Sequence, residues 1–229
     1  MKISILNKFT IIFASFISLY SLAQTLTAKQ IIDKNIQETG GLTQWKLLNT
    51  ISLYGNVILG DKEKYPIKIY QSRPNLTKTI VIINKKEEVI EGFDGKKGYA
   101  MNYANNKLQE YPSYKPENFD TDFIDYEQKG FTAKLLGVDK IAEQEVFKVE
   151  LTKNVNKTIY YFDKQSYLLV REERKDETID YSDYKIVGNL LMAFRIESNS
   201  PKNDNYLIIL NKIEINKAFP KNTFKFKVN

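Results

Sequence analysis

Between Ile51 and Val228, apolar and polar residues alternate in short runs that break at Gly, Asn, Asp and Pro. A period of two sends successive side chains to opposite faces, so the pattern predicts a long series of antiparallel strands with one wet and one apolar face. Strands are expected over about 50–59, 65–72, 76–84, 87–94 and 98–103, with a shorter stretch near 107–111. The pattern resumes over about 131–138, 145–153, 157–163, 167–175, 178–187, 190–198, 205–215 and 223–228. Asp94-Gly95 marks a tight turn, and Phe162-Asp163-Lys164-Gln165 and Val187-Gly188-Asn189 mark hairpins. No fixed-period repeat runs through these segments, which argues against a propeller or solenoid.

The period lengthens in two places. Thr27 and Gln30 have the spacing of a capping box, Leu26 and Ile31 that of a hydrophobic staple. Ala28, Ile31, Ile32 and Ile36 make one apolar stripe that stops at Gly40-Gly41. This predicts an N-terminal helix packed on the sheet, followed by a short helical turn at 42–48 carrying Trp45. After Pro112 and Pro116, alternation is lost over 117–129, where Phe119, Phe123 and Tyr126 recur at helical spacing. That segment is expected to be an amphipathic lid helix inserted between two halves of the sheet. Its aromatics would face inward and Glu117, Asp120, Asp122, Asp125 and Glu127 would face solvent. The expected fold class is mainly β, a curved antiparallel sheet or partial barrel with its helices on one face.

Composition narrows the chemistry. Lys2 and Lys8, the apolar stretch Phe9 to Leu22 and the small-x-small site Ser21-Leu22-Ala23 read as a signal peptide over 1–23, cleaved after Ala23. The mature part, 24–229, is expected to be one domain exported to the periplasm. With no Cys and no His in the chain, a lipid anchor on cysteine, disulfides, His-based triads, Cys nucleophiles and His- or Cys-ligated zinc drop out. No cofactor or metal is implied. The net charge of +6 falls to about +4 without the two leader lysines, and Lys is dispersed rather than clustered. No nucleic-acid partner is expected.

Several stretches, in order, resemble the bacterial outer-membrane lipoprotein-sorting proteins of the LolA/LolB-like family, in the form found in Bacteroidetes-type bacteria. They are Thr39-Gly40-Gly41 with Trp45 and Ile51 to Gly55, Tyr70-Gln71-Ser72-Arg73-Pro74-Asn75, Gly92-Phe93-Asp94-Gly95-Lys96-Lys97-Gly98-Tyr99, Leu135-Leu136-Gly137, Tyr160-Tyr161-Phe162-Asp163 and Tyr181-Ser182-Asp183-Tyr184-Lys185. The resemblance implies a half-open, incomplete β-barrel whose apolar hollow is lidded by helices. It implies a soluble periplasmic carrier that binds the acyl chain of a lipid or lipoprotein and exchanges it with membrane-bound donor or acceptor proteins. It also implies an arginine latch on the lid, for which Arg73, Arg171, Arg174 and Arg195 are the candidates.

The expected hollow is drawn from residues that share a strand face. Ile51, Leu53, Val57 and Leu59 share one side, with Ile67, Ile69, Ile80 and Ile82 beside them. In the second half Phe147, Val149 and Leu151 pair with Tyr160 and Phe162, and Leu207, Ile209, Ile213 and Ile215 share a face. Tyr99, Met101 and Tyr103 are rim candidates. Phe119, Phe123 and Tyr126 are the lid. The alternative to a hollow is an ordinary filled core. The carboxylate pairs Asp120/Asp122, Glu172/Glu173 and Asp180/Asp183 could serve a hydrolase only across a cleft, whereas charges on alternating strands ordinarily sit on the solvated face. A non-enzymatic, monomeric carrier is the expectation. A sensor or scaffold that binds a protein through the same fold is the second reading, and a carboxylate hydrolase the third.

Overall fold

A computed structural model of the protein describes residues 26–60, 63–114, 119–201 and 205–228. The expected signal peptide at 1–23 and Glu117 lie outside these residues. Helix α1 spans Ala28–Glu38 and helix α2 spans Leu42–Leu47. The first run of strands is β1 (Thr50–Leu59), β2 (Glu63–Ser72), β3 (Leu76–Ile83), β4 (Lys86–Phe93), β5 (Gly98–Asn102) and β6 (Lys107–Glu110). The second is β7 (Thr132–Ile141), β8 (Gln144–Lys153), β9 (Asn156–Asp163), β10 (Leu169–Arg174), β11 (Glu177–Val187), β12 (Leu190–Asn199) and β13 (Tyr206–Ile215).

All thirteen strands join one antiparallel sheet in the order β6-β5-β4-β3-β2-β1-β13-β12-β11-β10-β9-β8-β7. The first and second runs meet where β1 pairs β13, and β6 and β7 are left as free edges, so the sheet curves without closing. This is the half-open mainly β architecture that the period-two pattern predicts. At the β1–β13 seam a bulge lies between Tyr54 and Gly55. A Cβ on Gly55 would stand 2.2 Å from the Ile209 carbonyl oxygen, so the bulged backbone can approach only because glycine is there.

Helix α1 begins with the expected box: Gln30 N donates to Thr27 Oγ1 (3.2 Å) and Thr27 N to Gln30 Oε1 (2.8 Å). It ends at Gly40 and Gly41, whose φ values of 120° and 86° suit glycine. Ile31 and Ile32 are fully buried against Val149, Leu151, Tyr160 and Phe162 of β8 and β9. A second cluster gathers Trp45, Leu48, Ile51, Leu190, Leu210 and Ile213 beneath α2. A third, at β1–β3, has only Val57, Ile67 and Val81 fully buried, ringed by half-buried Tyr65, Ile69, Ile83, Ile90, Tyr206 and Ile208. The core thins there because neither helix reaches that part of the sheet.

Two expectations are corrected. Residues 119–130 form bends and turns, not a lid helix. Thr121 and three aspartates are poor helix formers, Asp125 sits at a left-handed φ of 51°, and Lys129 Nζ takes the Thr121 carbonyl (2.8 Å) that a helix would use internally. Residues 223–228 are turn and coil rather than a strand. Phe224 and Phe226 alternate as in a strand, but they serve as plugs on the outer face of the sheet. Phe226 stacks on Tyr99 with centroids 4.4 Å apart, and Phe224 packs on Phe219, which packs on Tyr70. Phe226 lies over Gly92, where a Cβ would be 2.2 Å from its ring.

Candidate functional site

The inner face, on which α1 packs, carries two adjoining cavities. The smaller, about 210 Å3, lies beneath Ile36, Trp45 and Phe123, with Ile51, Leu53, Leu169, Met192, Ala193 and Leu210 among its sheet residues. The larger, about 810 Å3, spreads over β1–β4 and β11–β13, with Val57, Ile67, Ile69, Val81, Ile83, Ile90, Ile179 and Ile208 as its apolar floor. Gln71, Tyr181 and Ile196 line both, so the two spaces abut there. The hollow lies over the thin third cluster. Among the described residues, thirteen strands present more apolar surface than two helices and one loop cover.

Of the residues expected to line a hollow, Ile51, Leu53, Val57, Leu59, Ile67, Ile69 and Ile213 border the cavities, as does the rim candidate Tyr103. Ile80 instead borders a separate cavity of about 380 Å3 on the outer face, with Tyr54, Tyr70, Lys78 and Phe219, and Ile82, two residues on, shares its side. Tyr99 lies on that outer face too, under Phe226, and Met101 follows it by alternation. Phe147, Val149, Tyr160 and Phe162 are on the inner face but buried in a filled core beneath α1 and the inserted loop. Phe119, Phe123 and Tyr126 of that loop all point inward, each less than a tenth exposed, and Phe123 also borders the smaller cavity.

The sequence reading passed over Tyr181, Tyr184, Met192, Ile196, Ile208 and Leu210, which all line the cavities. Two irregularities hid them. Asp183 takes a left-handed φ of 55°, which brings Tyr181 and Tyr184 to the same face. On β13 the bulge opposite Tyr54/Gly55 shifts parity, so Ile208 and Leu210 face inward together with Ile213 rather than Leu207 and Ile209. No glycine marks either strand at these points.

Arg73, at the end of β2, fastens the loop over the smaller cavity. Its Nε donates to the Leu48 carbonyl (2.6 Å), its Nη2 to the Trp45 carbonyl (2.9 Å) and its Nη1 to Asp120 Oδ2 (2.8 Å). The Leu48 carbonyl belongs to the C-cap of α2, and the Trp45 carbonyl also accepts from Leu48 N (3.3 Å), so Arg73 adds to the capping of that helix end. The guanidinium also lies over the Phe119 ring, 4.9 Å from its centroid. Lys129 Nζ donates to Asp120 Oδ1 (2.7 Å). Burial raises the Asp120 pKa, but hydrogen bonds from Lys129 and Arg73 and their charges outweigh it and hold the carboxyl below its ordinary range. Asp120 was expected at the solvent face; its side chain is 11% exposed. Asp122 accepts from the buried Tyr160 hydroxyl (3.1 Å), whose own pKa is pushed up by burial and by the Glu172 and Asp122 charges.

The remaining carboxylate pairs do not face each other across a cleft. Glu172 accepts from Arg174 Nε and the Tyr181 hydroxyl, Glu173 from the Tyr161 hydroxyl, Asp180 from Arg171 and Asp183 from Lys185. Among the described residues no group of three or more acidic, His or Cys side chains is placed to hold a metal ion.

An open curved sheet with an apolar hollow under a short N-terminal helix has clear structural counterparts. A domain from Vibrio parahaemolyticus, described as an outer membrane lipoprotein-sorting protein domain, superposes with a TM-score of 0.56 at 13% identity, covering 86% of this chain and 96% of its own. A LolA superfamily protein from Nitrosomonas europaea gives 0.56 at 10% identity, over 88% and 98%. This is the LolA-like fold. A DUF1329 family protein from Desulfovibrio piger shares it, with a TM-score of 0.57 at 10% identity over 86% and 97%. No family model and no curated protein matches the sequence. Of the four candidate arginines, Arg73 bonds to the inserted loop through Asp120, and Arg174 donates to Glu172. Arg171 and Arg195 make cross-strand or same-strand pairs with Asp180 and Glu197.

Proposed function

We propose that this protein is a carrier or holder for the acyl chain of a lipid or lipoprotein. The observation that carries the reading is the pair of adjoining inner-face cavities, of about 210 and 810 Å3, floored by aliphatic side chains. Ligand cavities ordinarily run to about 300–1,000 Å3, so the hollow has the capacity for a hydrocarbon tail. Each methylene buried there would contribute about 0.8 kcal/mol. The LolA-like fold supports the same reading, since one of the proteins that share it is described as lipoprotein-sorting.

Loading requires a way in. In this reading the larger hollow opens where it reaches Leu59 and Glu63, while the smaller is covered by the loop that Arg73 clamps to α2. In this proposal the tail enters by the open end and reaches the smaller cavity, and release of the Arg73–Asp120 clamp widens the inner end. In this proposal the expected leader at 1–23 directs the protein to the periplasm, where it would exchange its acyl cargo with membrane-bound donor and acceptor proteins. The test is mass spectrometry of the protein purified under non-denaturing conditions. The expected result is a co-purified lipid with long acyl chains. A lipid-free protein that also fails to take up added dodecanol would overturn the proposal.

A further inference from the structure

The hollow's charged lining has the opposite sign to the molecule. The chain holds 34 Lys and Arg against 28 Asp and Glu, yet among the described residues no Lys lines the larger hollow, and Glu63, Glu91 and Glu177 face it against Arg174. Arg174 is engaged already, since its Nε donates to the carboxylate of Glu172, a residue only 5% exposed. Five tyrosines (Tyr65, Tyr103, Tyr114, Tyr181 and Tyr206) join Gln71, Asn75, Thr77 and Thr79 in the polar part of the lining, and each tyrosine ring face is electron-rich. The smaller cavity, by contrast, has no charged residue in its lining.

Strand register gathers part of this charge at one end. Glu63 lies opposite Leu59, Leu59 opposite Tyr206, and Tyr206 opposite Ser198, across four neighbouring strands. Ser198 Oγ donates to Glu177 Oε1 (2.6 Å), and the Tyr65 hydroxyl donates to Glu63 Oε2 (2.9 Å). Among the described residues these partners are neutral hydroxyls, so hydrogen bonding satisfies the two carboxylates without cancelling their charge. Leu59 is the last residue of β1, while Ile51, at its start, borders the uncharged cavity under α2. The hollow is therefore uncharged at its helix end and, among the described residues, anionic and aromatic at its hairpin end.

We propose that the hollow takes an amphiphile with an ammonium head, its tail under Trp45 and Phe123 and its head among the tyrosines near Glu63 and Glu177. The inference rests on the carrier reading and adds the chemistry of the head group. Carboxylates and tyrosine faces both attract an ammonium. A carboxylate or phosphate head would meet like charge there, because Arg174, the cation among the described lining residues, is held by Glu172.

The test is competition by dodecyltrimethylammonium, dodecanol and dodecanoate, all below their micellar range, against a neutral fluorescent probe such as N-phenyl-1-naphthylamine. The three share one chain length and differ in the head. Dodecyltrimethylammonium is expected to displace the probe at a concentration about tenfold lower than dodecanoate, and that ratio should shrink with added salt. The double variant Glu63→Gln, Glu177→Gln, which keeps an oxygen acceptor for Tyr65 and Ser198, should bring the ratio towards one. Displacement by dodecanol with no preference for ammonium would overturn this inference and leave the carrier reading standing. A preference that survives both the double variant and added salt would also overturn it. If none of the three displaces the probe, both fall.

Discussion

Arg73 ties together three separate pieces of the chain: the end of β2, the end of α2 and the inserted loop. Replacing it with Ala should cost about 2–3 kcal/mol of unfolding free energy, because two α2 carbonyls and Asp120 lose a charged donor together. Urea titration measures the loss, and limited proteolysis should show faster cleavage within 119–130. Arg73→Lys should lie between the two, since an ammonium cannot span the three acceptors. The Asp120 carboxyl adds a pH dependence of known sign. Its folded pKa lies below the ordinary value of 3.8, so its stabilising contribution is fully present above about pH 4 and is lost as pH falls through the lowered value. The stability difference between the natural protein and Asp120→Asn should therefore be flat from pH 7 to about pH 4 and shrink below it.

The inserted loop and the C-terminal segment show where local pattern misleads. Phe119, Phe123 and Tyr126 were legible as inward-facing residues because aromatics at that spacing need apolar partners: Phe123 and Tyr126 found them in the cluster of β8 and β9, Phe119 in the cluster beneath α2. That a loop, rather than a helix, would carry them depended on Asp125 and on the reach of Lys129 and Arg73, none of which has a local signal. Phe224 and Phe226 have the alternation of a strand but pack as single rings on the outer face. Gly92→Ala should destabilise the protein by about 1–3 kcal/mol, since its Cβ would overlap the Phe226 ring, and Phe226→Ala made in addition should relieve part of that cost. Thermal unfolding of the two single variants and the double variant checks this. Strand existence and the α1 capping box were readable because each rests on neighbouring residues alone. The lining was less so. The run Ile80-Val81-Ile82-Ile83 is apolar on both sides, and only the outer strap at 216–228 explains why Val81 and Ile83 face the hollow while Ile80 faces away.

For the whole molecule, the account comes down to an imbalance between sheet and cover. Helix α1 and the inserted loop fill the inner face of β8 and β9, so Phe147, Val149, Tyr160 and Phe162 are core and Phe162→Ala should cost about 3–5 kcal/mol. They do not extend over β1–β3, where half-buried aliphatics border open space. Filling that space should therefore act differently. Ile69→Trp, at a half-buried position on the floor of the hollow, is expected to change stability by less than about 1.5 kcal/mol while abolishing uptake of a long-chain alcohol. The most direct test is photolabelling with a long-chain alcohol that carries a diazirine near the end of its chain, followed by peptide mapping. Labels should fall on inner-face residues of β1–β3 and β12–β13, such as Val57, Val81 and Ile208, or under Trp45. Labels confined to the outer face around Tyr54, Tyr70 and Ile80, or no labelling above that of a denatured control, would contradict the account.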